Sequence, residues 1–278
     1  MSFKIAGVQM DNAIGDAAAN FASMERLATT ATENGADLVV FPECTLTGYC
    51  FESFEEAIAV AQPPSGRHVK QAVSLAAKLK TRLVLGMLEL DDSAERPKVF
   101  NVVVLVDQNG VIASYRKTHL PTLGVDRFTT PGDRATEIVR LPEINLGMNI
   151  CYDCSFPETA RVLALAGADL IVLPTNWPLG AGRVPDYIPN VRALENNVYY
   201  IAVNRIGSER GFDFVGKSKI CDPLGGEIAG ANHAQEAIIY GDIDVDWARK
   251  KHYVSVPGKH EVHRFEDRRP DLYGPLSD

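Results

Sequence analysis

One phrase occurs twice in this chain. Gly35-Ala36-Asp37-Leu38-Val39-Val40-Phe41-Pro42 returns almost letter for letter as Gly167-Ala168-Asp169-Leu170-Ile171-Val172-Leu173-Pro174. Each copy follows a stretch of helical period, and each reads as a glycine that closes a helix followed by the apolar run of a buried strand. The repeat predicts a chain built from two similar halves. In each half a sheet is covered on one face by helices and on the other by the second sheet.

The first unit runs from Lys4 to Met10 as strand, Asp16 to Asn34 as helix and Asp37 to Phe41 as strand. Gly15-Asp16 offers its N-cap and Gly35 the residue past its end, while Phe21, Met24, Leu27 and Ala28 share one helical stripe. A second helix is expected over Arg67 to Lys80, with strands near Arg82 to Met87 and Val99 to Val106. Asp107-Gln108-Asn109-Gly110 then turns the chain tightly into Val111 to Lys117, and a closing strand is expected over Glu236 to Asp244. No Ser/Gly-rich or Pro-rich linker interrupts the chain. Residues 1–258 therefore read as one domain, and 259–278 as a polar, irregular tail whose Phe265, Leu272 and Tyr273 suit a subunit interface.

At 278 residues, 46% of them hydrophobic, the chain can bury a large core without disulfide or metal staples. Its 28 basic residues are scattered among 36 acidic ones, for a formal charge of −8, which argues against a nucleic-acid partner. No apolar window approaches the roughly 18 residues of a membrane span, and residues 1–10 do not form a secretory signal. The five cysteines (Cys44, Cys50, Cys151, Cys154 and Cys221) are odd in number and thinly spread, and no Asn-x-Ser/Thr acceptor occurs. Free thiols in a cytoplasmic setting are expected.

Three polar residues stand directly after predicted strands: Glu43 after Leu38 to Phe41, Lys117 at the end of Val111 to Arg116, and Cys151 after Leu146 to Ile150. In layered α/β proteins the carboxyl ends of strands are where ligands bind. Singly, each has a plain structural explanation, as loop acid, solvated strand end or small buried hydrophobe. Together they are an acid, a base and a thiol. A thiol of ordinary pKa is only a few per cent ionised at neutral pH, so Cys151 needs a base to take its proton, which Glu43 supplies. It also needs a cation to favour its anion and to hold the oxyanion formed on a carbonyl, which Lys117 supplies.

These residues and their surroundings resemble the nitrilase superfamily of carbon-nitrogen hydrolases. The matching stretches are Phe41-Pro42-Glu43, Tyr115-Arg116-Lys117-Thr118-His119-Leu120, Asn149-Ile150-Cys151-Tyr152-Asp153 and Phe156-Pro157-Glu158. Further matches are Leu173 to Pro178, Arg192 to Asn197 and Ala202 to Arg205. The resemblance implies an α/β fold, a four-layer α-β-β-α sandwich with two pseudo-symmetric halves. It further implies Glu43 as general base, Lys117 as electrostatic group and Cys151 as nucleophile, with the Tyr152 N–H in the oxyanion hole and Asn176 and Trp177 walling the pocket. No metal and no cofactor are implied, and a homodimer or higher homo-oligomer is. Many members carry a second glutamate between the lysine and the cysteine. Here there is none between Lys117 and Glu137, and Asp126 is a candidate substitute.

The implied reaction is hydrolysis of a small linear amide or N-carbamoyl compound through a cysteine thioester, releasing ammonia or an amine. The alternatives are a nitrile-hydrolysing nitrilase and a non-catalytic binding protein with the same fold. Tyr152-Asp153 after the nucleophile resembles the amidase branch, and Ser155 occupies the place of an arginine that binds carboxylates in many relatives. Three decoys fall on context. Gly211 to Ser218 has the letters of a phosphate-binding loop but precedes a strand and turn instead of a helix. Cys151-x-x-Cys154 lacks a second pair for zinc, and His260-Glu261-Val262-His263 lacks the i,i+4 spacing of a zinc-protease helix.

Overall fold

The computed structural model describes residues 3–93 and 95–276. In the first half β1 (Phe3–Gln9), β2 (Leu38–Val40), β3 (Arg82–Asp91), β4 (Lys98–Asp107) and β5 (Gly110–Arg116) form one sheet. In the second half β6 (Val139–Arg140), β7 (Asn145–Met148), β8 (Leu170–Thr175) and β9 (Tyr199–Asn204) begin another. A short ribbon of β10 (Ser208–Glu209) and β11 (Phe212–Asp213) stands apart. The second sheet is then completed by β12 (Ser218–Cys221) and β13 (Glu227–Ala231). Last, β14 (Ala237–Ile243) crosses back to pair with β1.

The two sheets repeat one pattern of directions. From β14 through β1, β2, β3 and β4 to β5 the pairings run antiparallel, parallel, parallel, antiparallel, antiparallel. From β6 through β7, β8, β9 and β12 to β13 they run identically. The duplicated phrase has the same function in each half. Gly35 and Gly167 end their helices at positive φ, +84° and +99°. Asp37 then accepts the Lys4 N–H at 2.8 Å and donates its own N–H to the Lys4 carbonyl. Asp169 does the same to Asn145, at 2.9 Å each way. The aspartate side chain stitches the incoming strand to the first strand of its half.

Helices α1 (Ala17–Glu33) and α3 (Arg67–Leu79) cover the outer face of the first sheet. A short α2 (Phe54–Val60) lies between them in sequence, and α4 (Pro157–Leu165) and α5 (Val184–Asn196) cover the second sheet. Strand alternation feeds both layers. Ile5, Leu38, Val40, Val84, Val103 and Leu105 face the other sheet, whereas Ala6, Val8, Val39, Leu83, Leu85 and Val102 meet Met24, Leu27, Ala28, Val69 and Leu75 of α1 and α3. The result is the expected four-layer α-β-β-α sandwich. Asp16 caps α1 by accepting the Ala19 N–H at 3.0 Å, as its Gly15-Asp16 start suggested.

The tail departs from expectation. After α6 (Val245–Arg249), β15 (His252–Val256) pairs antiparallel with β16 (His260–His263), so the residues following 258 open as a strand and not as irregular chain. Both strands of this hairpin are largely exposed, and hydrogen bonding across it replaces burial as its organising force. Among the described residues no helix is long and apolar enough to cross a membrane.

Candidate active site

Glu43 sits where the chain leaves β2. The turn is tight: Cys44 has φ +50°, and its carbonyl accepts the N–H groups of Thr47 and Gly48 at 3.1 and 2.9 Å. Gly86, in the middle of β3, lies directly beneath. A Cβ there would stand 2.2 Å from the Cys44 nitrogen and 2.9 Å from the Glu43 Cα, so only hydrogen fits. Lys117 is the first residue beyond β5, anchored by its N–H on the Asn101 carbonyl at 2.8 Å. Asp126 comes from a single helical turn, Gly124–Arg127.

These elements bring four buried side chains together. Lys117 Nζ lies 2.7 Å from Glu43 Oε1 and 2.5 Å from Asp126 Oδ2. Asn101 donates both amide hydrogens, one to Glu43 Oε1 at 2.7 Å and one to Asp126 Oδ1 at 2.9 Å. The Tyr49 hydroxyl donates to Asp126 Oδ2 at 2.7 Å. Glu43 Oε2 is buried without a hydrogen-bond partner among the described residues.

Cys151 opens a second short turn, Cys151–Ser155, with φ +43°. That region is costly for a non-glycine residue and persists only where neighbours enforce it. Asp153 is the enforcer. Its Oδ2 accepts the Ile150 N–H and the Tyr115 hydroxyl, each at 2.9 Å, and its Oδ1 accepts the His119 N–H at 3.1 Å with the His119 ring Nδ1 at 2.7 Å. The cysteine turn is thereby tied to the segment that carries Lys117. His119 in turn stacks on Phe156 with ring centroids 3.8 Å apart.

Charge and burial oppose each other here. Burial pushes the Glu43 carboxyl up, Lys117 pulls it down, Asp126 pushes it up again, and the net is a raised pKa. Burial disfavours the Lys117 ammonium, but Asp126, Glu43 and Cys151 together hold it well above the ordinary lysine range. Burial and then the Glu43 charge push the Cys151 thiol well above its usual value. Lys117, the Thr175 hydroxyl and the Asn176 N–H pull the other way and do not prevail. The sequence had suggested that Lys117 would favour the thiolate. In the structure burial and the Glu43 charge outweigh Lys117, so the thiol is pushed up and not down, and the Glu43 carboxyl is raised with it, which suits an acid and a base that exchange a proton.

Of the residues singled out in the sequence, Glu43 and Lys117 are in direct contact. Cys151 is within electrostatic reach of both. Asn176 donates its Nδ2 to the Glu43 carbonyl at 3.0 Å. Trp177 is buried beside it, with its N–H on Asn204 Oδ1 at 2.8 Å. The Tyr152 side chain is partly exposed and packs edge-on against Phe156. Asn101, Tyr49 and Asp153 were not foreseen in these places. Asn101 had one readable signal, a lone amide inside the apolar run Val99 to Val106. The Gly211 to Ser218 segment ends in β12, a strand where a phosphate loop requires a helix.

Residues 4–253 match the carbon-nitrogen hydrolase family, and the chain belongs to it. It is therefore an enzyme of a hydrolase family, with the sandwich and paired strand ends described above. The chain is 36% identical over 271 residues to a nitrilase of Pyrococcus abyssi, covering 97% of this chain and 98% of that one. It is 32% identical over 275 residues to an (R)-stereoselective amidase of a Pseudomonas species, covering 98% and 93%. Among solved structures it resembles Saccharomyces cerevisiae Nit3, of the nitrilase superfamily, with a TM-score of 0.80 at 26% identity over 93% of this chain and 96% of that one.

Proposed function

We propose that the protein hydrolyses the carbon–nitrogen bond of a small linear amide or N-carbamoyl compound through a thioester on Cys151, releasing ammonia or an amine. One observation carries the reading. Glu43 Oε1 is engaged by Lys117 and Asn101, whereas Oε2, equally buried, has no partner and is free to take a proton. Glu43 thus removes the thiol proton as sulfur attacks the amide carbon, and returns it to the departing nitrogen. Lys117, with the Tyr152 N–H in the first turn after the nucleophile, holds the oxyanion. A water deprotonated by Glu43 then cleaves the thioester. The amidase named among the relatives supports this reaction class.

Ammonia release from a panel of short amides, N-carbamoyl compounds and matched nitriles tests the proposal, together with the intact mass of enzyme mixed with substrate. An acyl adduct on the wild type that is lost in Cys151→Ala is expected. Faster turnover of nitriles than of the matched amides would move the protein to the nitrilase reading, and neither ammonia release nor an adduct from any compound would overturn the amide proposal.

Two further readings accompany it. Five free, buried cysteines suit a reducing cytoplasmic setting. Exposed Tyr253, Val254 and Val256 of the hairpin, with Leu272 and Tyr273 beyond it, suit the cover of a second copy, which sedimentation would reveal.

A further inference from the structure

We infer that Asn176 Oδ1 is the second acceptor for the scissile nitrogen, and that with Glu43 Oε2 it selects an unsubstituted –CO–NH2 group over N-substituted amides. The inference rests on the amide hydrolysis proposed above and narrows its leaving group to ammonia.

The orientation of the Asn176 amide is fixed by chemistry. Its Nδ2 donates to the Glu43 backbone carbonyl at 3.0 Å, and a carbonyl oxygen can only accept, so the NH2 end must face it. Oδ1 is therefore turned away from Glu43. It is fully buried and has no hydrogen-bond partner among the described residues. The same residue acts on the nucleophile, since its backbone N–H is among the groups that pull the Cys151 thiol down. Glu43 Oε2 is the other buried acceptor without a partner on this pair of touching residues. Buried acceptors are nearly always satisfied in folded proteins. Here Glu43 Oε2 and Asn176 Oδ1 are both unpaired, on two residues that touch each other and both act on the Cys151 thiol.

A primary amide nitrogen carries two hydrogens, one for each vacancy. An N-alkyl amide has one hydrogen, so one acceptor stays buried and unpaired with carbon packed against it. Sites built to hydrogen-bond a substrate N–H discriminate strongly against analogues that lack it. In the reaction the sulfur–carbon bond forms while the thiol proton passes to Glu43 Oε2. The carbon–nitrogen bond breaks as Glu43 returns that proton to nitrogen, which leaves as NH3 with its own two hydrogens. In the planar amide each acceptor holds one of those hydrogens; once the carbon is tetrahedral, Asn176 Oδ1 keeps its hydrogen while the nitrogen turns its lone pair toward the protonated Glu43. Water, deprotonated by Glu43, then adds hydroxyl to the acyl carbon; the carbon–sulfur bond breaks, and Glu43 passes the water proton to the departing sulfur.

The test uses one short acyl group presented as primary amide, N-methyl amide and methyl ester to the intact enzyme and to Asn176→Ala. The wild type is expected to favour the primary over the N-methyl amide by about 100-fold or more in kcat/KM. This comparison needs no variant. Asn176→Ala is expected to lower kcat/KM for the amide at least about tenfold more than for the ester, whose leaving oxygen has no hydrogen to give. N-methyl amide turnover within about threefold of the primary amide would overturn the inference, as would equal losses on amide and ester, the signature of Asn176 merely steadying Glu43. Ester turnover without either amide would also overturn it. No thioester from any of the three would instead end the hydrolase proposal itself.

Discussion

Lys117 and Asp126, nine positions apart in sequence, form an ion pair of 2.5 Å in which neither side chain is exposed to solvent. The shorter acid reaches the ammonium because Tyr49 and Asn101 hold its two oxygens from the other side. Breaking a buried pair by removing one partner typically costs about 3–5 kcal/mol, because the other charge is left uncompensated. Asp126→Ala is therefore expected to lower thermal stability clearly, and Asp126→Asn, which keeps the shape, to cut kcat more than it raises KM. Melting curves and steady-state kinetics check both. An Asp126→Ala protein as stable as the wild type would remove Asp126 from the network.

The second expectation concerns pH. Glu43 must be ionised to accept the thiol proton, and its pKa is raised by burial, so the acid limb of kcat/KM should lie above the ordinary carboxylate range. Activity is then lost as pH falls through the raised value. Lys117, held well above its ordinary value, stays charged through neutral and mildly alkaline pH. Alkylation of Cys151 by iodoacetamide should follow the same acid limb, and Glu43→Gln should slow acylation by about 10²- to 10⁴-fold. Acylation undiminished in Glu43→Gln would take the general-base role from it.

The two neighbouring thiols should separate cleanly. Cys151→Ala is expected to abolish turnover with the fold intact. Cys154, whose thiol burial pushes up to about 12, contributes packing and should tolerate Ala with most activity retained. Intact-mass spectra of both variants with substrate make the comparison, and equal loss in the two would indicate a paired-thiol site.

Gly86→Ala tests the floor beneath Glu43. The added methyl would meet backbone at 2.2 Å, which no side-chain rotation relieves. Overpacking of this kind typically costs about 1–3 kcal/mol. The variant should therefore unfold at lower denaturant and lose activity through displacement of Glu43. Full activity would show that the β2 turn shifts freely.

The sequence by itself determined the architecture and the placing of Glu43, Lys117 and Cys151 at strand ends, because both are written locally. The doubled Gly-Ala-Asp phrase encodes a helix end and an aspartate stitch, a contact that each half makes in the same way at Lys4 and Asn145. Glu43, Lys117 and Cys151 each follow an apolar run, and a strand end is legible one segment at a time. The seven residues of α2 are too few to show a helical period, and the exposed β15–β16 hairpin buries neither face, so no alternation marks it. Only the tertiary structure decided the rest of the site. Asn101 meets Glu43 across 58 positions and Tyr49 meets Asp126 across 77. No local pattern encodes which buried polar groups will face one another. The folded arrangement settles it, because groups removed from water must find partners among whatever the packed strands bring near.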